Sequence, residues 1–432
     1  MIALLLLQRN ARVRALLAAA YCSIRIEGKF LKGRWTSLLL ACAPLAAAVC
    51  SGPASADALD TFNLSAGYST QTDSNLFRLS PSSAVPSSGT KSERIDTTTL
   101  GASIDKSYSL QNIRINATAL DYKYRTNDYL SFTTLNYDAA WRWAVTPRIR
   151  GNIVSEKRTS LNNFSDFRNV SARNLRTVSS SRIDAEGELA AAWRVFGGFQ
   201  RSRNTNDLPV VQEGDDQVTS TYVGLRYVFP SDNFLSYRLR EGTGDYFNRI
   251  PTPGSLLPTS LKEEEQEVRM FWKITGKTTV VARLAHIART HADLPIRDYS
   301  GPIGDVSLSW AATGKINLVA ALGRDLSTYQ TNTSSFVSAN RFSLAPTWRM
   351  SDHTSLRAAY QYAQLNYQGP LPSATPVLER KDTERTVQLS VNWRPRDALA
   401  LGLSLQNTRR GSSSPGFDYK FNTATLTALV TF

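Results

Sequence analysis

From Leu135 to Val145 the chain alternates with a period of two. Leu135, Tyr137, Ala139, Trp141, Trp143 and Val145 share one face; Asn136, Asp138, Ala140, Arg142 and Ala144 share the other. Successive side chains of a strand point to opposite sides, so this run makes a strand with one apolar and one polar face. The pattern returns from Ile183 through Ala185, Gly187, Leu189, Ala191 and Trp193 to Val195, interleaved with Arg182, Asp184, Glu186, Glu188 and Arg194. So many charges on one face cannot enter a dry core. After Asp57 no segment approaches the roughly 20 apolar residues of a membrane helix, and no helical apolar stripe lasts beyond a turn or two. The fold class is all-β.

A soluble sandwich shows the same alternation; the placement of aromatics decides between sandwich and membrane barrel. The chain reads Trp143-Ala-Val-Thr-Pro-Arg, Trp193-Arg-Val-Phe-Gly-Gly, Trp272-Lys-Ile-Thr-Gly-Lys, Trp310-Ala-Ala-Thr-Gly-Lys, Trp348-Arg-Met-Ser-Asp-His and Trp393-Arg-Pro-Arg-Asp-Ala, with Tyr227-Val-Phe-Pro-Ser-Asp in the same role. Each ring precedes a short turn by about two residues, and the spacing down to Phe432 averages about 41 residues. Two membrane strands of roughly 10 residues, a tight turn and a long loop fill such a repeat. Indole at a strand end suits the headgroup boundary, where an apolar ring and a polar N–H are both satisfied. A propeller blade has a similar period, but its His or Asp partners are missing and it leaves the C-terminus unexplained.

Long polar segments lie at the other hairpin ends: 71–93, 159–173, 204–216, 247–262, 368–382 and 410–416. Down-strands are expected to end near Ser107, Val145, Val195, Phe229, Ile274, Ala312, Met350, Pro395 and Phe432. With nine up-strands before them this predicts a transmembrane antiparallel up-and-down barrel of about 18 strands, with short periplasmic turns and long extracellular loops. The expected girdle is Trp141, Trp143, Trp193, Tyr227, Trp272, Trp310, Trp348, Trp393 and Phe432. The ending Leu426-Thr-Ala-Leu-Val-Thr-Phe432, apolar at alternate positions, resembles the signal read by the outer-membrane barrel-assembly machinery.

Lys29-Phe-Leu-Lys-Gly-Arg-Trp35, a mostly apolar run over 36–49 and Ala54-Ser-Ala56 have the three parts of a secretory signal, so cleavage is expected after Ala56. This divides the chain into 1–56, an extension with an export signal, and 57–432, the barrel, destined for the Gram-negative outer membrane with its lipid as a partner. Residues 1–56 carry seven basic residues and one acid, so the net charge of +14 falls to +8 without them. High basicity is therefore no argument for nucleic acid. Cys22, Cys42 and Cys50 also fall in this segment, leaving the body thiol-free.

Only His286, His291 and His353 offer imidazole, and no pair has the spacing of a zinc helix. Gly-x-Ser-x-Gly, a Walker loop and His-Glu-x-x-His are absent. No enzyme, cofactor or metal is expected. Gly242-Thr-Gly244 reads as a strand-to-loop transition, and Glu263, Glu264, Glu265 and Glu267 as the solvated base of a loop rather than a Ca²⁺ site. Beside the outward tryptophans lie Arg142, Arg194, Lys273, Arg349 and Arg394, which the pleat turns into the lumen. They form a candidate substrate-binding ring at the periplasmic mouth, either concentrating an anionic or hydroxyl-rich polymer or pairing with Asp138, Glu186 or Glu188. Tyr222 and Phe271 are inward rings that either serve as stacking platforms for sugars or fill the wall.

Phe62-Asn-Leu-Ser-Ala-Gly-Tyr68, Thr72-Asp-Ser-Asn-Leu-Phe-Arg78, Asp105-Lys-Ser-Tyr-Ser-Leu110, Asn136-Tyr-Asp-Ala-Ala-Trp-Arg-Trp143, Gly244-Asp-Tyr-Phe-Asn-Arg249 and Pro415-Gly-Phe-Asp-Tyr419 carry a resemblance over nearly the whole mature chain. The chain resembles EpsL-type outer-membrane proteins encoded with exopolysaccharide biosynthesis genes, within the wider group of β-barrel porins. Those families show two acids before the Asn where this chain has Asp73-Ser74. The resemblance implies a part in exopolysaccharide biosynthesis or export, with the polymer and its export proteins as partners. A general diffusion porin and a structural or adhesive surface barrel are the alternatives.

Overall fold

The computed structural model describes residues 61–432 apart from 85–88, 166–171, 251–254, 330–333 and 370–378. The expected export signal and its cleavage after Ala56 lie outside the described residues. Eighteen strands follow one another: β1 (Phe62–Asp73), β2 (Glu93–Tyr108), β3 (Gln111–Tyr124), β4 (Phe132–Thr146), β5 (Ile149–Leu161), β6 (Leu175–Glu188), β7 (Trp193–Asn206), β8 (Asp216–Val228), β9 (Phe234–Asp245), β10 (Ser260–Thr275), β11 (Thr278–Thr290), β12 (Tyr299–Ala311), β13 (Ile316–Thr328), β14 (Phe336–Arg349), β15 (Thr354–Gln368), β16 (Lys381–Arg396), β17 (Leu399–Ser412) and β18 (Tyr419–Thr431). Each pairs antiparallel with its sequence neighbours, and β1 pairs with both β2 and β18. A sheet closed this way has no free edge, and its backbone polar groups need no water.

Turns of two to five residues join β2 to β3, β4 to β5 and so on to β16 and β17; the connections at the opposite end are longer. This is the asymmetry expected from the turn chemistry, and the 18-strand up-and-down barrel is as read from the sequence. Eight of the nine down-strands end within a residue or two of the expected positions.

The exception is the strand placed near Val195. β6 ends at Glu188, the turn is Leu189–Ala192, and Trp193 opens β7 instead of closing a down-strand. Leu189 and Ala191 keep the apolar parity through the turn, which hides the break. Gly197-Gly198, which resemble a turn, are strand residues for a packing reason. A Cβ on Gly198 would stand 2.6 Å from the Tyr222 hydroxyl, so the phenol end of that ring packs against bare backbone. The acidic run is a second correction: Glu263, Glu264, Glu265 and Glu267 lie inside β10, not in a loop. The connections 125–131, 291–298 and 329–335 lie at the long-loop end as well, in addition to the polar segments read from the sequence.

Large apolar side chains cover the outward faces without protein above them. Leu284 and Leu322 are each 61% exposed, and Leu135, Ile183, Val223, Leu389, Leu405 and Leu426 are similarly uncovered. A soluble protein does not tolerate so continuous an apolar exterior; hydrocarbon is its solvent.

Candidate functional site in the barrel lumen

The lumen has two chemically different walls. On β5 to β11 the inward residues are charged, and interstrand register brings them together. Glu265 lies opposite Arg240, and Glu267 opposite Arg238, between β10 and β9. Arg240 reaches Glu265 at 2.8 Å and Glu263 at 3.2 Å, while Arg238 reaches both Glu265 and Glu267 at 2.8 Å. From β11, Arg283 binds Glu267 at 2.5 Å and Glu265 at 3.1 Å, and Arg289 Nε donates to Glu263 at 2.9 Å. Glu263, Glu265 and Glu267 are thereby buried in an arginine lattice. The missed signal was the period-two spacing of these acids, together with Arg238-Leu-Arg240, which places every second charge on one face.

Toward the short-turn end a second cluster centres on Glu186. It receives Arg150 at 2.8 Å, Arg194 at 3.4 Å and Arg226. Beside it Asp184 takes Arg182 at 3.1 Å and the Asn152 amide at 2.7 Å. A cavity of about 410 Å³ opens against this wall and reaches Arg142, Phe196, Tyr222, Arg238 and Arg269. Gly224 makes room for Phe196, whose Cζ would lie 2.4 Å from a Cβ there. The Arg226 guanidinium stands 5.2 Å from the Phe196 ring and 4.8 Å from Phe234, and Arg238 stands 5.3 Å from Tyr222. Phe234 and Phe271 stack at 5.8 Å.

Across the lumen, β16 and β17 carry an uncharged patch midway along their inward faces, with Glu384, Asp382 and Arg410 nearer the long loops. Gln388 donates to Ser404 at 2.9 Å and to Ser390 at 3.3 Å, Thr386 and Thr408 share a bond of 3.0 Å, and Gln406 donates to Thr408 at 3.1 Å. Between the walls, toward the long-loop end, Leu76, Phe77, Tyr124, Leu130, Phe132 and Phe164 form a buried apolar cluster. A cavity of about 390 Å³ beside it is lined from β1 to β5 on one side and β15 to β18 on the other, so these loop residues narrow the lumen. The motif 72–78 does the anchoring. Asp73 accepts from Asn75 N at 2.8 Å and from both Arg78 terminal nitrogens at 2.9 and 2.7 Å, while Arg78 covers the Phe421 ring at 3.5 Å. Glu93 closes the same loop by accepting the backbone N–H groups of Arg94, Arg125, Thr126 and Asn127.

Of the five basic residues singled out from the sequence, Arg194 is drawn into the Glu186 cluster. Arg349 donates to the Gly314 carbonyl at 2.9 Å, and Lys273 lies 5.7 Å from the Phe271 ring. Arg142, Lys273, Arg349 and Arg394 have no carboxylate in ion-pair range among the described residues. Asp138, offered as a partner, instead takes the Asn116 amide at 2.7 Å. The girdle residues all lie toward the short-turn end, Trp193 at the start of its strand and the others near the close of theirs. Trp193, Tyr227, Phe229 and Trp272 run edge to face across β7 to β10 at 5.0, 4.8 and 5.1 Å. No group of three or more potential metal ligands occurs among the described residues.

A family described as "Putative beta-barrel porin 2" matches residues 273–432. No curated protein matches the chain. Among solved structures, the outer-membrane protein OpdK of Pseudomonas aeruginosa is similar at 11% identity and a TM-score of 0.47, over 86% of this chain and 99% of its own. OccK2 (OpdF) of the same organism, in complex with glucuronate, is similar at 10% identity and 0.49, over 86% and 98%. A BenF-like porin of Pseudomonas fluorescens Pf-5 is similar at 11% and 0.49, over 86% and 98%. The closed sheet, its apolar exterior and the family match make this chain a porin-like β-barrel of the Gram-negative outer membrane.

Proposed function

We propose that the barrel is a passive diffusion channel that favours small anionic solutes. One observation carries this: the charged wall holds more guanidinium groups than carboxylates, and four cations at the short-turn mouth have no carboxylate partner among the described residues. Fixed positive charge in a narrow opening with low-dielectric walls raises the local concentration of anions and lowers that of cations. The patch of amides and hydroxyls on β16 and β17 offers a crossing solute replacement hydrogen bonds.

The test is the reversal potential of the purified barrel in planar bilayers under a KCl gradient. Chloride preference is expected in the native chain. Combining Arg142→Gln, Lys273→Gln, Arg349→Gln and Arg394→Gln is expected to cut the chloride-to-potassium permeability ratio by roughly two- to threefold. Cation preference in the native chain, or an unmoved ratio in the variant, would overturn the reading.

A second reading, a part in exopolysaccharide export, rests on the family resemblance and is favoured by the luminal rings of Phe196, Tyr222 and Phe234 beside arginines, a pairing that suits sugar acids. Deleting the gene and measuring polymer inside and outside the cell separates the two: periplasmic accumulation supports export, unchanged secretion leaves the porin.

A further inference from the structure

We infer that the outer face of β16, β17, β18, β1 and β2 holds a site for a phosphorylated glycolipid of the outer leaflet. A groove of about 780 Å³ lies there at the level where strands give way to long loops. Its lower part is apolar, with Val387, Leu389, Leu405 and Ala424, and its upper part polar, with Asn407 and Asn422 bonded to each other at 2.5 Å. On β16, β17 and β18 the next outward position toward the loops is a cation. Arg385 follows Val387, Arg409 follows Asn407 and Lys420 follows Asn422, all exposed.

Register sets these cations side by side. Arg385 lies directly opposite Arg409, and Arg409 directly opposite Lys420. Like charges opposed across strands are destabilising, and none of the three has a carboxylate in ion-pair range among the described residues. Across the groove Arg94 reaches Thr70 at 3.1 Å and shares Asp96 with Arg125, a cluster that still carries excess positive charge. Neighbouring cations uncompensated by protein, set above an apolar trough facing hydrocarbon, fit an anionic headgroup with acyl chains lying below it. Phosphate contributes its charge to the row, and guanidinium binds its oxygens with forked geometry. The long-loop end is extracellular in a barrel of this kind, so the ligand belongs to the outer leaflet.

The experiment is titration of the full-length barrel in detergent, read by native mass spectrometry, with lipid A, with phosphatase-treated lipid A and with inorganic phosphate. The phosphorylated lipid is expected to bind at least tenfold more tightly than either of the others. The combined variant Arg385→Gln, Arg409→Gln and Lys420→Gln is expected to lose that advantage while keeping native conductance and the heat-dependent gel shift of a folded barrel. Equal binding of the two lipid forms by the native chain sinks the proposal whether or not the variant folds. Inorganic phosphate binding as well as the lipid would make this a free-anion site and also sink it, as would unchanged lipid binding by a folded variant.

Discussion

Glu265→Gln is expected to lower the unfolding free energy by about 3 kcal/mol, the low end of the range for removing one partner from a buried ion pair. Glu265 is 4% exposed and accepts from Arg238, Arg240 and Arg283, so a neutral amide leaves three guanidinium groups crowded around a site built for a charge. The arginines are 15 to 22% exposed to the lumen, and water there offsets part of the penalty. Denaturant unfolding of the barrel in lipid vesicles, followed by tryptophan fluorescence, measures the difference. Glu264→Gln is the control. Its neighbour position faces outward, its carboxylate pairs with exposed Lys262 at 3.0 Å, and the change is expected to cost less than about 0.5 kcal/mol. Equal effects at 264 and 265 would mean the charged lattice contributes nothing specific. The same variant is expected to strengthen anion preference, since it removes negative charge from the wall.

Leu322→Arg is expected to cost about 2–4 kcal/mol, the penalty for a cation at the lipid-facing midplane of a barrel. Leu322 lies midway along β13, opposite Val306 and Phe342 on the outward face. Ala321→Arg, one residue earlier, points the same side chain into the lumen and is expected to alter ion selectivity with little change in stability. Insertion yield and unfolding in vesicles compare the two. If Ala321→Arg proves the more damaging, the assignment of inner and outer faces on β13 is inverted. A cation tolerated equally at both sites would mean that this stretch meets no hydrocarbon.

The barrel and its strand count were legible because both depend on local periodicity. A strand exposes alternate residues to opposite solvents, and the indoles near Pro147, Gly276, Gly314 and Asp352 mark where each hairpin turns. Trp193 escapes this rule because period two passes unbroken through the turn Leu189–Ala192, while Gly197-Gly198 imitate a turn but are strand residues packed by Tyr222. Inward orientation of Arg194 and Lys273 was also available from parity. Their unlike surroundings were not: Arg194 meets Glu186, eight residues back across a hairpin, whereas the Lys273 ammonium stands 5.7 Å from the Phe271 ring with no carboxylate in ion-pair range among the described residues.

By itself, then, the sequence determined the all-β class, the hairpin repeat and which residues share the outward face of a strand, since these follow from the geometry of a single extended chain. Tertiary structure alone decided that Glu263, Glu265 and Glu267 are wall residues locked by arginines of two flanking strands, and that the loop anchored by Asp73 and Glu93 packs Leu76 and Phe77 into an apolar cluster beside the lumen. Those outcomes depend on interstrand register and on loops returning over a closed sheet. Both are set by pairings between distant segments, on which the alternation within any one strand is silent.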